Sequence, residues 1–225
     1  MKDENLIIDS IRKKKYSQDC FVNFKNCDSL IIAMDIALKY GLKKDLPISE
    51  ELLETMLAEN RKIKVKQIAY KYANYKPRTE KQVIQRLKQN EFTDDDIQFA
   101  LGFLKKFNLI NDEKYAVAFL TELLRKKPSG KKVALNELLK KGISSKISKE
   151  TIDAYFPDEQ TSEMALRAAE KKMRMLRHKE PDKQKKSLIS SLQKRGFDWL
   201  TIRETVSIVL PEDVSNKPDD DSENL

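Results

Sequence analysis

One histidine, His178, and two cysteines, Cys20 and Cys27, are all that the chain offers of imidazole and thiol chemistry. Nucleophilic or general-base catalysis needs a base within reach of the nucleophile and a third group to orient it, and one histidine among unpatterned carboxylates does not supply them. A metal site would need further ligands at suitable spacing, and a disulfide framework more cysteines in an exported context. The cysteines therefore read as reduced thiols. Neither G-x-G-x-x-G nor G-x-x-x-x-G-K-[ST] occurs, so the usual phosphate-cradling loops are absent. No enzyme activity, cofactor or metal is expected.

The chemistry that the residues do offer is cationic. Lys and Arg number 44 against 36 Asp and Glu in 225 residues, for a net charge of +8. Residues 211–225 hold six acids against Lys217, a net of −5, so the preceding 210 residues carry +13. A basic body points to a polyanionic or acidic partner. The acidic tail, with its two prolines, reads as disordered. Strictly apolar runs such as Leu30–Met34 are far short of the ~20 residues a membrane span requires. The N-terminal Met1-Lys2-Asp3-Glu4-Asn5 lacks a signal-peptide pattern, so the expected compartment is the cytosol, away from the membrane.

The candidate binding residues fall on helices at repeated positions. From about residue 61 apolar residues recur at spacings of three and four, as in Val83, Ile84 and Leu87, or Ile97, Ala100, Leu101 and Leu104. Shifts of 51 and 105 residues superpose three stretches without a gap. Val83, Ala134 and Leu188 form one column, Ile84, Leu135 and Ile189 a second, and Leu87, Leu138 and Leu192 a third. Phe92, Ile143 and Phe197 follow a turn marked by Glu91, Gly142 and Gly196. Lys81, Lys132 and Lys186 form a column that is basic throughout. Further cations crowd the same helices: Arg86, Lys88, Lys131, Lys140, Lys141, Lys185, Lys194 and Arg195, with Arg125, Lys126, Lys171 and Lys172 on the helices before them. Packing explains an apolar column and does not explain a charged one. The strip reads as a partner-facing surface, weighed against the commoner solvated helix face.

Each stretch reads as helix A, a loop near a proline, helix B, a tight turn and helix C. Thr79-Glu80-Lys81-Gln82 has the capping-box pattern, and acid at Asp94-Asp95-Asp96 marks the start of a helix. In the second stretch helix C is expected near Ser148, after a turn lengthened through Ser144–Ser148. The fold class is all-α: three tandem three-helix repeats, over residues 61–108, 109–160 and 161–210, in an elongated curved array. Residues 1–60 form an extension in which Phe21-Val22-Asn23-Phe24 suggests a hairpin. A short helix is expected near Met34–Tyr40, ending at Gly41, and a capped helix after Ser49. Tyr70, Tyr72, Tyr75 and Trp199 are assigned to packing, as is the set Met164, Met173 and Met175.

Several of these segments resemble the RecX family. Ala73-Asn74-Tyr75-Lys76-Pro77-Arg78-Thr79-Glu80-Lys81-Gln82-Val83 is similar to that family's first-repeat signature. Leu109-Ile110-Asn111-Asp112-Glu113-Lys114-Tyr115-Ala116-Val117-Ala118-Phe119 resembles its most specific segment. Leu87–Phe92, Leu138–Ile143 and Leu192–Phe197 match its turns, with Glu91 where glycine is usual. The resemblance covers about residues 61–210. It implies a non-enzymatic regulator of the RecA recombinase, acting in DNA repair, recombination and the SOS response. Such a protein is a monomer that lodges in the groove of the RecA–DNA filament and inhibits ATP hydrolysis, strand exchange and coprotease activity. Single- or double-stranded DNA would be bound weakly and non-specifically.

The alternative is a helical-repeat protein that acts on nucleic acid directly, since helix B, turn and helix C imitate a helix-turn-helix. Helix C opens with Asp94-Asp95-Asp96, with Lys149-Glu150 and Asp153, and with Asp198. Acid at that end repels phosphate and argues against sequence reading in the major groove.

Overall fold

The computed structural model describes residues 6–25, 27–156 and 158–211. The acidic tail from residue 212 lies outside them. The chain divides into two compact units, residues 1–111 and 112–225.

The first unit opens with β1 (Leu6–Lys13), β2 (Asp19–Phe24) and β3 (Leu30–Ala33), then α1 (Met34–Lys39) and β4 (Pro47–Ile48). These strands form one antiparallel sheet in the order β3-β2-β1-β4, so the extension is larger than the hairpin expected. Ile11 pairs with Val22 and Leu6 with Ile48, while the register shifts between Ile8 and Ser10. The alternation of β2 places Cys20, Val22 and Phe24 inside, against Ile8, Ile32, Ile48 and Met56. Cys20 is a buried thiol, Cys27 an exposed one, and both are free. Burial raises the Cys20 thiol above its ordinary range.

Next comes α2 (Glu50–Tyr75), a single helix of 26 residues. Ser49 caps it, its side chain accepting from the Leu52 N–H at 3.3 Å. The helix runs unbroken through residues 60 and 61. Its first half, with Leu52, Leu53, Met56 and Ile63, covers the sheet; its second half, with Val65, Ala69 and Ala73, joins the core of repeat 1. Asn60, 8% exposed, locks the sheet to the helix. Its Oδ1 accepts from Ala33 N–H at 2.8 Å and its Nδ2 donates to Ile31 C=O at 3.2 Å. Two edge groups of β3 that burial would otherwise orphan are thereby satisfied.

Repeat 1 is completed by α3 (Glu80–Lys88) and α4 (Asp94–Lys106). Thr79 and Thr93 each form a capping box, with Gln82 and Asp96 at the third helical position. The second unit contains α5 (Asp112–Lys126), α6 (Lys131–Lys141) and α7 (Ser145–Tyr155), then α8 (Asp158–Leu176), α9 (Pro181–Lys194) and α10 (Trp199–Val209). One continuous cluster from Ala116 to Val206 forms its core. The second turn is not lengthened as expected. Ser144 caps α7 by accepting from Ile147 N–H at 3.3 Å, and Ser148 lies buried within the helix. Two serines four residues apart both fit an N-cap, and the earlier one takes the role.

Burial follows the repeat register. Val83, Ala134 and Leu188 are all fully buried, as are Leu87, Leu138 and Leu192. Glu91, Gly142 and Gly196 all have positive φ, at 61°, 91° and 81°. In each turn the next N–H reaches back five residues: Phe92 to Leu87, Ile143 to Leu138 and Phe197 to Leu192, at 3.2–3.4 Å. This Schellman closure satisfies the last carbonyls of α3, α6 and α9.

Candidate partner-binding surface

The basic column sits where helix geometry and the buried stripe put it. Lys81, Lys132 and Lys186 each lie two residues before a fully buried position and six before another, on α3, α6 and α9. At 3.6 residues per turn those positions lie about 160° and 120° round the helix from the lysine, which sets it well off the buried stripe. All three are exposed. Seven residues on, the same face carries Lys88, Leu139 and Gln193, so the basic repeat is confined to the first position.

The remaining cations divide by their partners. Arg125 forks onto Glu122 through two bonds of 3.1 Å, and Lys126 joins it at 2.6 Å. Hydrogen bonds from Arg125 and then Lys126 hold the Glu122 carboxyl at about 2. Lys140 pairs with Glu137 at 2.8 Å, and Lys88 with Asp94 at 3.1 Å. Lys141 lies over the Phe119 ring, 5.3 Å from its centroid. Lys131 and Lys185 also have partners of their own. Arg195 is half-buried and donates from Nη1 to Pro128 C=O at 2.9 Å, fixing the start of α6 to the end of α9. Lys81, Arg86, Lys132, Lys171, Lys172, Lys186 and Lys194 have no ion-pair partner among the described residues. The three column lysines thus keep their charge uncompensated while several neighbours do not.

The aromatic assignments are partly corrected. Tyr72 is half-buried beside the repeat 1 core, with the Arg78 guanidinium 4.0 Å above its ring. Tyr70 and Tyr75 are exposed, at 44% and 82%. Trp199 is also exposed, because it is the first residue of α10 and precedes that helix's buried stripe. It borders a groove of about 440 Å³ floored by Ile189, Ile202 and Val206, with Lys185 and Arg203 at the rim. Residue type alone gave no sign of this groove. Met164 is buried, Met173 half-buried and Met175 exposed.

Comparison with known proteins bears on the same helices. The first three-helix domain of RecX matches residues 66–104, and its third three-helix domain matches residues 158–206. A regulatory protein RecX of Clostridium perfringens is 33% identical over 175 residues, covering 77% of this chain and 79% of that one. The chain belongs to the RecX family. A RecX of Chlorobaculum tepidum is 40% identical over 128 residues, 57% of this chain and 77% of its own. The crystal structure of RecX from Lactobacillus salivarius superposes with a TM-score of 0.62 at 26% identity, over 67% of this chain and 97% of that one. A second RecX crystal structure reaches 0.66 over 91% of this chain and 98% of its own, at 19% identity, which speaks for the fold. The matched RecX domains contain α3 and α9, and with them Lys81 and Lys186. No helix among the described residues is long and apolar enough to cross a membrane.

Proposed function

We propose that this RecX-family chain is a non-enzymatic regulator of the RecA recombinase. It binds the groove of the RecA–DNA filament and inhibits ATP hydrolysis, strand exchange and coprotease activity, as a monomer in the cytosol. The proposed contact residues are Lys81 and Arg86 in the first unit, and Lys132, Lys186, Lys171, Lys172 and Lys194 in the second. The observation that carries this reading is the uncompensated lysine column. An unpaired cation kept at one register in three repeats does nothing for packing, whereas a helical filament with an acidic, phosphate-bearing groove attracts it. Family membership identifies RecA as the partner to test.

Direct action on DNA is the second reading, supported by the +8 net charge. Against it stand the acidic starts of α4 and α10. Asp94, Asp95 and Asp96 occupy the first turn of α4, and Asp198 caps α10. Co-sedimentation with RecA filaments on single-stranded DNA separates the two readings. The chain pellets with filaments at concentrations where bare DNA retains little of it. Equal retention on bare DNA would favour direct binding.

A further inference from the structure

Two acid-free basic stretches, distant in sequence, meet in the first unit. Residues 10–18 contain Arg12, Lys13, Lys14 and Lys15 and no acid; residues 60–79 contain seven cations and no acid. The second is the longest acid-free run in the chain. The first stretch is the end of β1 and the turn into β2; the second is the latter half of α2 and the loop after it. Between them lies a groove of about 610 Å³ lined by Lys13, Tyr16, Gln18, Lys64, Gln67 and Lys71, among others. Its single acid, Asp19, is already held by the Lys64 ammonium and by the Ser17 hydroxyl at 2.8 Å.

Tyr16 stands at the mouth of this groove with its side chain fully exposed and φ at +58°. A bulky residue rarely adopts that backbone conformation, and such outliers gather at functional sites. Lys64, Ile68, Lys71 and Tyr75 follow one another at helical spacing along α2, so exposed Tyr75 extends the same stripe one turn beyond Lys71. The stripe spans about 16 Å at 1.5 Å per residue. Lysines flanking a groove, with the exposed Tyr16 ring on it and Tyr75 a turn beyond, suit a strand that offers phosphates and unstacked bases together. A duplex keeps its bases stacked inside, and an acidic peptide without aromatic residues has nothing to stack on Tyr16.

We propose that this groove of the first unit binds single-stranded nucleic acid, with phosphates on Lys13 and Lys71 and a base stacked on Tyr16. The site lies outside the basic column and does not rest on the RecA reading, because it acts without RecA.

Fluorescence anisotropy of a labelled oligothymidylate, with the full chain and no RecA, tests it. Lys13→Glu with Lys71→Glu weakens binding by about tenfold or more at low salt and lowers the salt slope by about 1.4, as two lost single-strand phosphate contacts require. Tyr16→Ala weakens binding about tenfold, and Tyr16→Phe, which keeps the ring, restores it. All these positions are exposed, and the thermal melt verifies that each variant folds. Parent-like binding by the double-lysine variant would overturn the proposal. So would equal losses in the Ala and Phe variants, or a duplex or polyglutamate bound as tightly as the oligothymidylate.

Discussion

Repeat 1 and repeats 2 and 3 share helix triplets and turn geometry, yet they bury them in different ways. Repeat 1 has a core of its own, and the N-terminal extension of its first helix carries a second, sheet-based core. Repeats 2 and 3 share one core and are clasped by backbone contact. Gly130 N–H donates to Arg195 C=O at 2.8 Å, and a Cβ on Gly130 would stand 2.2 Å from the Gly196 carbonyl oxygen. A Cβ on Gly196 would stand 2.8 Å from the Val133 backbone nitrogen. Repeat 1 has no such clasp, and its turn residue is Glu91 in the same left-handed conformation. Glycine in these turns thus has two separate causes, φ and close approach, and only the second demands it absolutely.

Gly130→Ala breaks this comparison most severely. The displaced carbonyl is backbone, so the junction must open, at a cost of about 3 kcal/mol or more. Chemical denaturation should show the second unit unfolding at lower denaturant, or losing cooperativity, while the first is spared. The turn residues sharpen the contrast. Glu91→Gly relieves the left-handed strain at little packing cost and raises stability by about 1 kcal/mol. Gly196→Ala, in the same conformation but against Val133, lowers it by more than that. Equal effects at the two sites would remove the distinction between them.

A smaller effect, about 1 kcal/mol, is expected from the cap of α10. Asp198 Oδ1 accepts from Thr201 N–H at 2.8 Å. That bond, outweighing desolvation, holds the Asp198 carboxyl below its ordinary 3.8. A lowered carboxyl stabilises the fold above its unfolded value and ceases to do so as pH falls through the folded one. Asp198→Ala should therefore melt lower at neutral pH, and its deficit should shrink as pH drops below about 4.

The repeats were legible because burial acts on each copy alike. The columns through Leu87, Leu138 and Leu192 are buried core positions, and the capping boxes at Thr79 and Thr93 are local patterns. What escaped depends on tertiary contact. In the four-stranded sheet β3 and β4 are too brief for a period of two to register, and the register of β1 shifts between Ile8 and Ser10. The long α2 presents different faces to two cores, so its apolar pattern does not repeat along one stripe. The role of Asn60 depends on β3, 27 residues away, and the need for glycine at 130 depends on a turn 66 residues on. Tyr75 and Trp199 look like core by type and stand in solvent by position. Of the candidate surface, the lysine column was legible as a register; the pairing that leaves it unneutralised while engaging Arg125, Lys126 and Lys140 was not.

The central claim is that the lysine column contacts the RecA filament. Lys81→Glu, Lys132→Glu and Lys186→Glu together take the net charge from +8 to +2 and leave every buried stripe untouched. Exposed substitutions of this kind shift stability by no more than about 0.5 kcal/mol each, so the melt should barely move. The decisive measurement is inhibition of RecA ATP hydrolysis on single-stranded DNA by the triple variant, titrated against the parent over a range of salt. Inhibition should weaken at least tenfold and its salt dependence flatten. A triple variant that inhibits as well as the parent would contradict the claim.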